Sequence, residues 1–328
     1  MSENKLKQDI PAISVIIITW NRKNDVIEML RSLIEQTFTN FEVIVVDQAS
    51  VDETSENVGI LFPHVRIIRL DHNHGVAGGR NIGIQHARSE IMVFLDDDAV
   101  LEKNGLASVW EEFSSEKNIG IIAGKVVDYY TGELQRAHWS YPDYQITKSD
   151  TRFETYTFSG GIHAVRKKVF EHVGQYDEMI FFGPEEYGLS MRTFAAGFKI
   201  IYLPTFILRH KGRARLGWGV ERWRLFVEGK IFLMILYCPF PIMFYVILEY
   251  ALGYLIQAIR NFFLFAYFKT IIRVFLKLPI LIRYRNPIDI NAFNGFRKLE
   301  QLQRGPIAYR IRNELFRTRQ QNESILKK

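Results

Sequence analysis

Ile91-Met92-Val93-Phe94-Leu95-Asp96-Asp97-Asp98 sets five apolar side chains directly before three carboxylates. An apolar run without alternation suits a strand buried on both faces, as in a sheet covered by helices on each side. The three acids then fall at the strand's carboxyl end. The same arrangement repeats upstream. Ile13 to Ile18 is closed by Thr19-Trp20-Asn21-Arg22, Phe41 to Val46 by Asp47-Gln48-Ala49-Ser50, and Val65 to Leu70 makes a third run. Between them, Asp25 to Gln36 spaces Val26, Ile27, Leu30, Leu33 and Ile34 on one helical face, and another helix starts near Gly78. Alternating strands and helices predict an α/β domain with a parallel sheet. Ligands of such sheets sit beyond the carboxyl ends of the strands, where Asn21, Asp47 and Asp96 to Asp98 all fall.

Bulk properties narrow the classes. At 48% hydrophobic and 24% charged, the 328 residues describe a folded protein, not a disordered one. A net charge of +6 is compatible with nucleic acid, an anionic membrane or a phosphorylated substrate. The aromatics cluster in apolar runs without interleaved basic residues, which argues against nucleic acid. The single cysteine, Cys238, excludes an internal disulfide and suits a reducing compartment. Met1 to Pro11 is polar with no apolar core, so no secretory signal is expected. Composition changes near Trp218, which divides the chain into an α/β domain, 1–217, and an apolar, helical region, 218–328.

Several segments can carry chemistry. Three consecutive carboxylates repel one another without a counter-charge, and magnesium or manganese commonly bridges carboxylates to phosphates. The competing reading is an exposed acidic turn. The loop from His74 to Gly83 is glycine-rich and opens a helix, which favours an anion, although helices also follow glycine for structural reasons. Glu185-Glu186 stands among aromatics near a helix start, either as a tuned general base or as acids placed for the helix dipole. His210 follows an apolar stretch, Ile200 to Leu208, as a metal ligand or a solvated side chain.

Taken in order, these segments resemble glycosyltransferase family 2, inverting enzymes with the GT-A nucleotide-sugar fold, from about Ile13 to Lys211. The resemblance implies that Thr19, Asn21 and Arg22 form the first nucleotide-binding turn and that Asp47 contacts a uracil or thymine base. It places Gly78, Arg80 and Asn81 in a glycine-rich element beside the nucleotide. It implies that Asp96 lies near the ribose and metal, that Asp98 binds Mn2+ or Mg2+, and that His210 is a further ligand. Asp97 receives no role and is expected to be the most replaceable of the three. Glu186 is the expected base with Glu185 as competitor, and Gly161 is expected to line the donor side. The family pattern has an acid two residues later, where this chain has Gly188.

The implied reaction is metal-assisted transfer of a sugar from a UDP- or dTDP-sugar to a hydroxyl of a lipid-linked or cell-surface glycan. Alternatives are transfer onto a polyprenyl phosphate, or a non-catalytic nucleotide-sugar-binding subunit, suggested by Gly188. Downstream, Ile231 to Leu248 has no charge but is interrupted by Pro239 and Pro241, and Lys269, Arg273 and Lys277 share one helical face. An apolar helix with a basic stripe suits the interface of an anionic leaflet, which predicts association with the cytoplasmic face of a membrane, lying in-plane or with one or two inserted helices. A buried hairpin covering the catalytic domain is the competing reading. Arg209, Lys211, Arg213 and Arg215 form a basic segment expected near acceptor phosphates or lipid head groups, or simply in solvent.

Overall fold

The structure is a computed structural model that describes residues 10–212 and 219–305. Arg213 and Arg215 lie outside the described residues. The strands are β1 (Ile13–Thr19), β2 (Phe41–Asp47), β3 (Arg66–Arg69), β4 (Ile91–Asp96), β5 (Ala99–Leu101), β6 (Ile119–Asp128), β7 (Phe153–Glu154), β8 (Ile162–Arg166) and β9 (Lys199–His210). The helices are α1 (Lys23–Ile34), α2 (Thr54–Leu61), α3 (Gly75–His86), α4 (Gly105–Ser115), α5 (Lys167–Val173) and α6 (Glu185–Ala195), followed by α7 (Val220–Tyr237), α8 (Phe240–Arg260), α9 (Leu264–Arg283) and α10 (Ile290–Arg304).

The strands join one sheet in the order β3-β2-β1-β4-β8-β6-β9-β5, with β7 on β9. The expected parallel sheet holds for its first half, where β1, β2, β3 and β4 run parallel. It fails beyond β4, because β8 pairs antiparallel with both β4 and β6, and β5 and β7 pair antiparallel with β9. The sheet is therefore mixed. Antiparallel β8 lies beside β4, so the chain just before it, Ser159-Gly160-Gly161, arrives at the carboxyl end of β4 where the aspartates stand.

Side chains alternate across the sheet. Ile13, Val15 and Ile17 of β1 enter a core with α1, α2 and α4, while Ile16, Met92 and Phe94 face a second core with α3 and α6. Gly83 lets α3 approach β1, since a Cβ there would overlap Ile16. The glycine-rich element is thus partly a helix-to-sheet packing device, and α3 starts at Gly75, earlier than the sequence predicts.

The second core does not stop at residue 217. Ile231 to Leu236 of α7 and Phe293 and Phe296 of α10 are buried in the same cluster as Phe94 and Leu189. The C-terminal region is therefore packed onto the catalytic domain through α7 and α10. The apolar run predicted from Ile231 to Leu248 is broken at Cys238–Pro239, between α7 and α8. The outer faces of α8 and α9 are different: Phe240, Phe244, Tyr245, Leu248, Phe265, Phe268, Phe275 and Leu276 are all exposed, as is Phe262 in the turn between the two helices.

Candidate active site

Asp96, Asp98 and His210 bring their ligand atoms within 4.8 Å of one another. The sheet explains why. Asp96 ends β4, Asp98 precedes β5, and Ala99 of β5 pairs with His210 at the end of β9. His210 Nε2 lies 3.3 Å from Asp98 Oδ1. Two hard carboxylates and one borderline imidazole nitrogen are a donor set that fits a divalent cation, Mn2+ better than Mg2+. Burial and the nearby Asp98 raise the pKa of Asp96, whereas the bonds from His210 and Arg22 hold Asp98 well below the carboxylate range despite its burial. Burial works against charge on His210, but Asp98 and Asp96 outweigh it and raise its pKa.

Asp97 is not the spare member of the run. It is buried, accepts from Thr19 Oγ1 at 2.8 Å and pairs with Arg22 at 2.7 Å. Burial pushes its carboxyl up to about 7 against the pull of Arg22. Arg22 also reaches Asp98 at 2.5 Å, so Thr19 and Arg22, both expected at the nucleotide, tie the first strand to the acidic run. Asn21 takes a left-handed backbone (φ 53°), and its Oδ1 accepts from Val51 N at 2.8 Å. Asp47 is fully buried and accepts from Ser50 N at 2.9 Å and from the Ser55 hydroxyl. These two residues fix the turns at the ends of β1 and β2.

The second half of the cleft is built on α6, whose first turn contains Glu185 and Glu186. Negative charge is stabilised at a helix N-terminus. Arg80, expected beside the nucleotide, is buried under them: Nη1 is 3.2 Å from each carboxylate and Nη2 donates to Gly160 O at 2.8 Å. The two acids differ sharply. Glu185 is buried, its Oε2 has no hydrogen-bond partner, and burial together with the charge of Glu186 raises its pKa well above the ordinary value against the pull of Arg80. An ionised oxygen left unpaired there costs on the order of 1–3 kcal/mol or more, so the protonated form is favoured. Glu186 keeps 15% of its side chain exposed and faces the cleft edge.

Gly160 and Gly161 join the halves. A Cβ on Gly160 would overlap Glu186 Oε1, and one on Gly161 would lie 2.6 Å from Asp96 Oδ2. Asp96 N also donates to Gly161 O at 3.0 Å. Asn81 works at one remove. Its amide donates to Tyr176 O and Glu178 at 2.9 Å and accepts from Tyr176 N at 3.0 Å, which fixes the strap leading to α6. Gly78 packs on His74, 2.8 Å from its Cβ to an ideal Cβ.

Gly188 packs against α7: an added Cβ would sit 2.5 Å from Leu233 Cδ2, so a larger residue would need that side chain to shift. Asp177 supplies a carboxylate from the strap instead. Its Oδ2 would be 3.1 Å from that Cβ and pairs with Arg192 at 3.2 Å, while Oδ1 accepts from Tyr237 Oη at 2.5 Å. Two further residues escaped sequence reasoning. Gln135 contacts His210, and the His138 ring lies edge-on to the His210 ring at 4.9 Å. Of the basic segment, Lys211 is committed to Asp25 at 2.7 Å and Glu28 at 2.6 Å, and Arg209 to Glu102.

The profile of Glycosyl transferase family 2 matches residues 14–174. An uncharacterized glycosyltransferase of Haemophilus influenzae is 36% identical over 110 residues, 34% of this chain and 37% of that protein. The O-antigen chain rhamnosyltransferase WbaN of Salmonella anatum is 27% identical over 216 residues, 61% of this chain and 66% of the relative. The chain thus spans little more than a third of the first relative and just under two thirds of the second. The solved structure of the mannosyltransferase PcManGT of Pyrobaculum calidifontis, in complex with GDP-Man and Mn2+, superposes with a TM-score of 0.55 at 21% identity, covering 92% of this chain and 83% of that one. That likeness is one of fold, and the fold is GT-A. The profile match runs from β1 through α5, across the acidic run, so residues 14–174, just under half of the chain, are similar to glycosyltransferase family 2.

Proposed function

We propose that the protein is an inverting glycosyltransferase that moves a sugar from a nucleoside diphosphate donor to an acceptor hydroxyl. The observation that carries this is the pair Gly160-Gly161, which packs on Glu186 at its first glycine and on Asp96 of the Asp96–Asp98–His210 cluster at its second. A divalent cation held by Asp96, Asp98 and His210 supplies charge neutralisation and Lewis acidity to the departing diphosphate. Glu186 takes the proton of the acceptor hydroxyl, while Arg80 fixes its carboxylate and Glu185 stays neutral beneath it. The acceptor oxygen bonds to the anomeric carbon as the bond to the diphosphate breaks, and attack from the opposite face inverts the configuration. Asp47 and Asn21 shape the base end, which favours a UDP- or dTDP-sugar. The carboxylate that Asp177 offers beside Gly188 supports a catalytic reading over a non-catalytic one.

A donor panel of UDP-, dTDP- and GDP-sugars with Mn2+ tests the assignment. Release of nucleoside diphosphate is expected with one uridine or thymidine donor and a hydroxyl acceptor. Turnover only with polyprenyl phosphate would reassign the acceptor, and release from no donor would overturn the enzyme reading.

The acceptor proposed is a lipid-linked or cell-surface glycan met at the cytoplasmic face of a membrane. Among the described residues one helix, α8, is long and apolar enough to cross a bilayer, and it is largely unburied. The exposed aromatic faces of α8 and α9 are large for a soluble surface. Lys269 and Lys277 lie exposed along α9, whereas Arg273 of the predicted stripe turns inward to Glu228 at 2.8 Å. Binding to vesicles containing anionic lipid is expected, and Lys269→Gln with Lys277→Gln should weaken it about thirtyfold at ~1 kcal/mol per residue. Flotation measures this, and a protein that floats with no vesicle would end the membrane proposal.

A further inference from the structure

Gln135 holds His210 with both ends of its amide. Its Nε2 donates to His210 O at 3.0 Å, and its Oε1 lies 2.8 Å from His210 Nδ1. A backbone carbonyl only accepts, so the amide has one orientation; reversed, it would set two oxygens against each other. Oε1 also only accepts, so Nδ1 must carry the hydrogen and donate it. In the neutral ring the lone pair then belongs to Nε2, the nitrogen 3.3 Å from Asp98 Oδ1. The surroundings hold this arrangement. Val127 bridges to Leu134 and Gln135 N donates to Val126 O at 3.0 Å, so the chain folds back along β6, whose Asp128 pairs with His210 of β9. The left-handed Gly212 (φ +52°) leaves room, since a Cβ there would lie 2.6 Å from Gln135 Nε2. The His138 ring, fixed by Ser159 Oγ at 3.0 Å, abuts the His210 ring at its edge.

We infer that Gln135 is a positioning residue that selects the Nδ1–H form of His210 and so presents the Nε2 lone pair to a divalent cation shared with Asp96 and Asp98. This rests on the proposed cation role of that cluster. Residues that accept the second N–H of a metal-bound imidazole commonly hold about ten- to a hundredfold of metal affinity. Two measurements test it. In metal-free protein at a pH above the imidazole's titration, two-bond nitrogen–proton NMR should report Nδ1–H for His210. Electron paramagnetic resonance titration with Mn2+ alone should show binding that Gln135→Leu weakens about ten- to a hundredfold. Nε2–H in the wild-type protein overturns the inference even where Gln135→Leu does not fold. Equal Mn2+ affinity in a folded Gln135→Leu overturns it too. A wild-type protein that shows Nδ1–H yet binds no Mn2+ overturns the cation reading beneath it, and the two failures are thereby told apart.

Discussion

Glu186→Gln should lower the rate of sugar transfer by about a hundred- to ten-thousandfold, the share that general base catalysis commonly supplies. Donor affinity should change little. The amide keeps the size of the carboxylate and can still accept from Arg80 through its oxygen, so the cleft edge stays in place. What it lacks is a basic oxygen, and no neighbour replaces it. Glu185 is the obvious substitute one residue away, but it is buried, has an unpaired oxygen and has a raised pKa. It cannot reach an acceptor and already favours its protonated form. Single-turnover transfer alongside equilibrium donor binding checks both halves. Near-normal transfer by Glu186→Gln would remove the base assignment, and equal loss in donor affinity would make Glu186 a binding residue instead.

Asp98→Ala should be as damaging for a different reason. It removes one of three donors from the cluster and also the partner of Arg22 and His210. Neutralising a departing diphosphate is worth several kcal/mol, and about 1.4 kcal/mol corresponds to a factor of ten, so a loss on the order of a thousandfold in transfer is expected. Added Mn2+ should not restore it, whereas wild-type protein stripped with chelator should recover fully on adding Mn2+. A wild-type protein indifferent to chelator would refute the cation role. Asp97 separates from Asp98 here: it serves Thr19 and Arg22 and lies outside the donor cluster.

Much of this site was legible before any coordinates. Strand ends gather ligands in α/β sheets, so Asn21, Asp47 and Asp96 to Asp98 declared themselves by following apolar runs. What stayed hidden were residues whose role depends on closure of distant segments. The sequence does not reveal β6 and β8, or with them the mixed half of the sheet whose antiparallel β8 brings Gly160 and Gly161 to Asp96 and Glu186. Gln135 and His138 sit in irregular chain with no periodicity, and only the return along β6 and the β6–β9 pairing bring them to His210. The glycine-rich element was read for anion binding, yet Gly83 is required by the approach of α3 to β1. Arg80 was read with that element, but its charge faces the acid pair across the core. In each case the residue type was noticed and the direction of its side chain was not, because direction is set by tertiary packing.

The meeting of Gly188 with Leu233 limits how this chain can be recombined. A larger residue at 188 would require the Leu233 side chain to move and would press on Asp177, which is bound to both Arg192 and Tyr237. α6 and α7 therefore fit together as one packed unit, and a chimera that grafts α7 to α10 onto a relative with a larger residue at the equivalent position would need Leu233 to repack. A cut near residue 217 would separate Gly188 from Leu233, whereas a cut after Tyr237 keeps the two together.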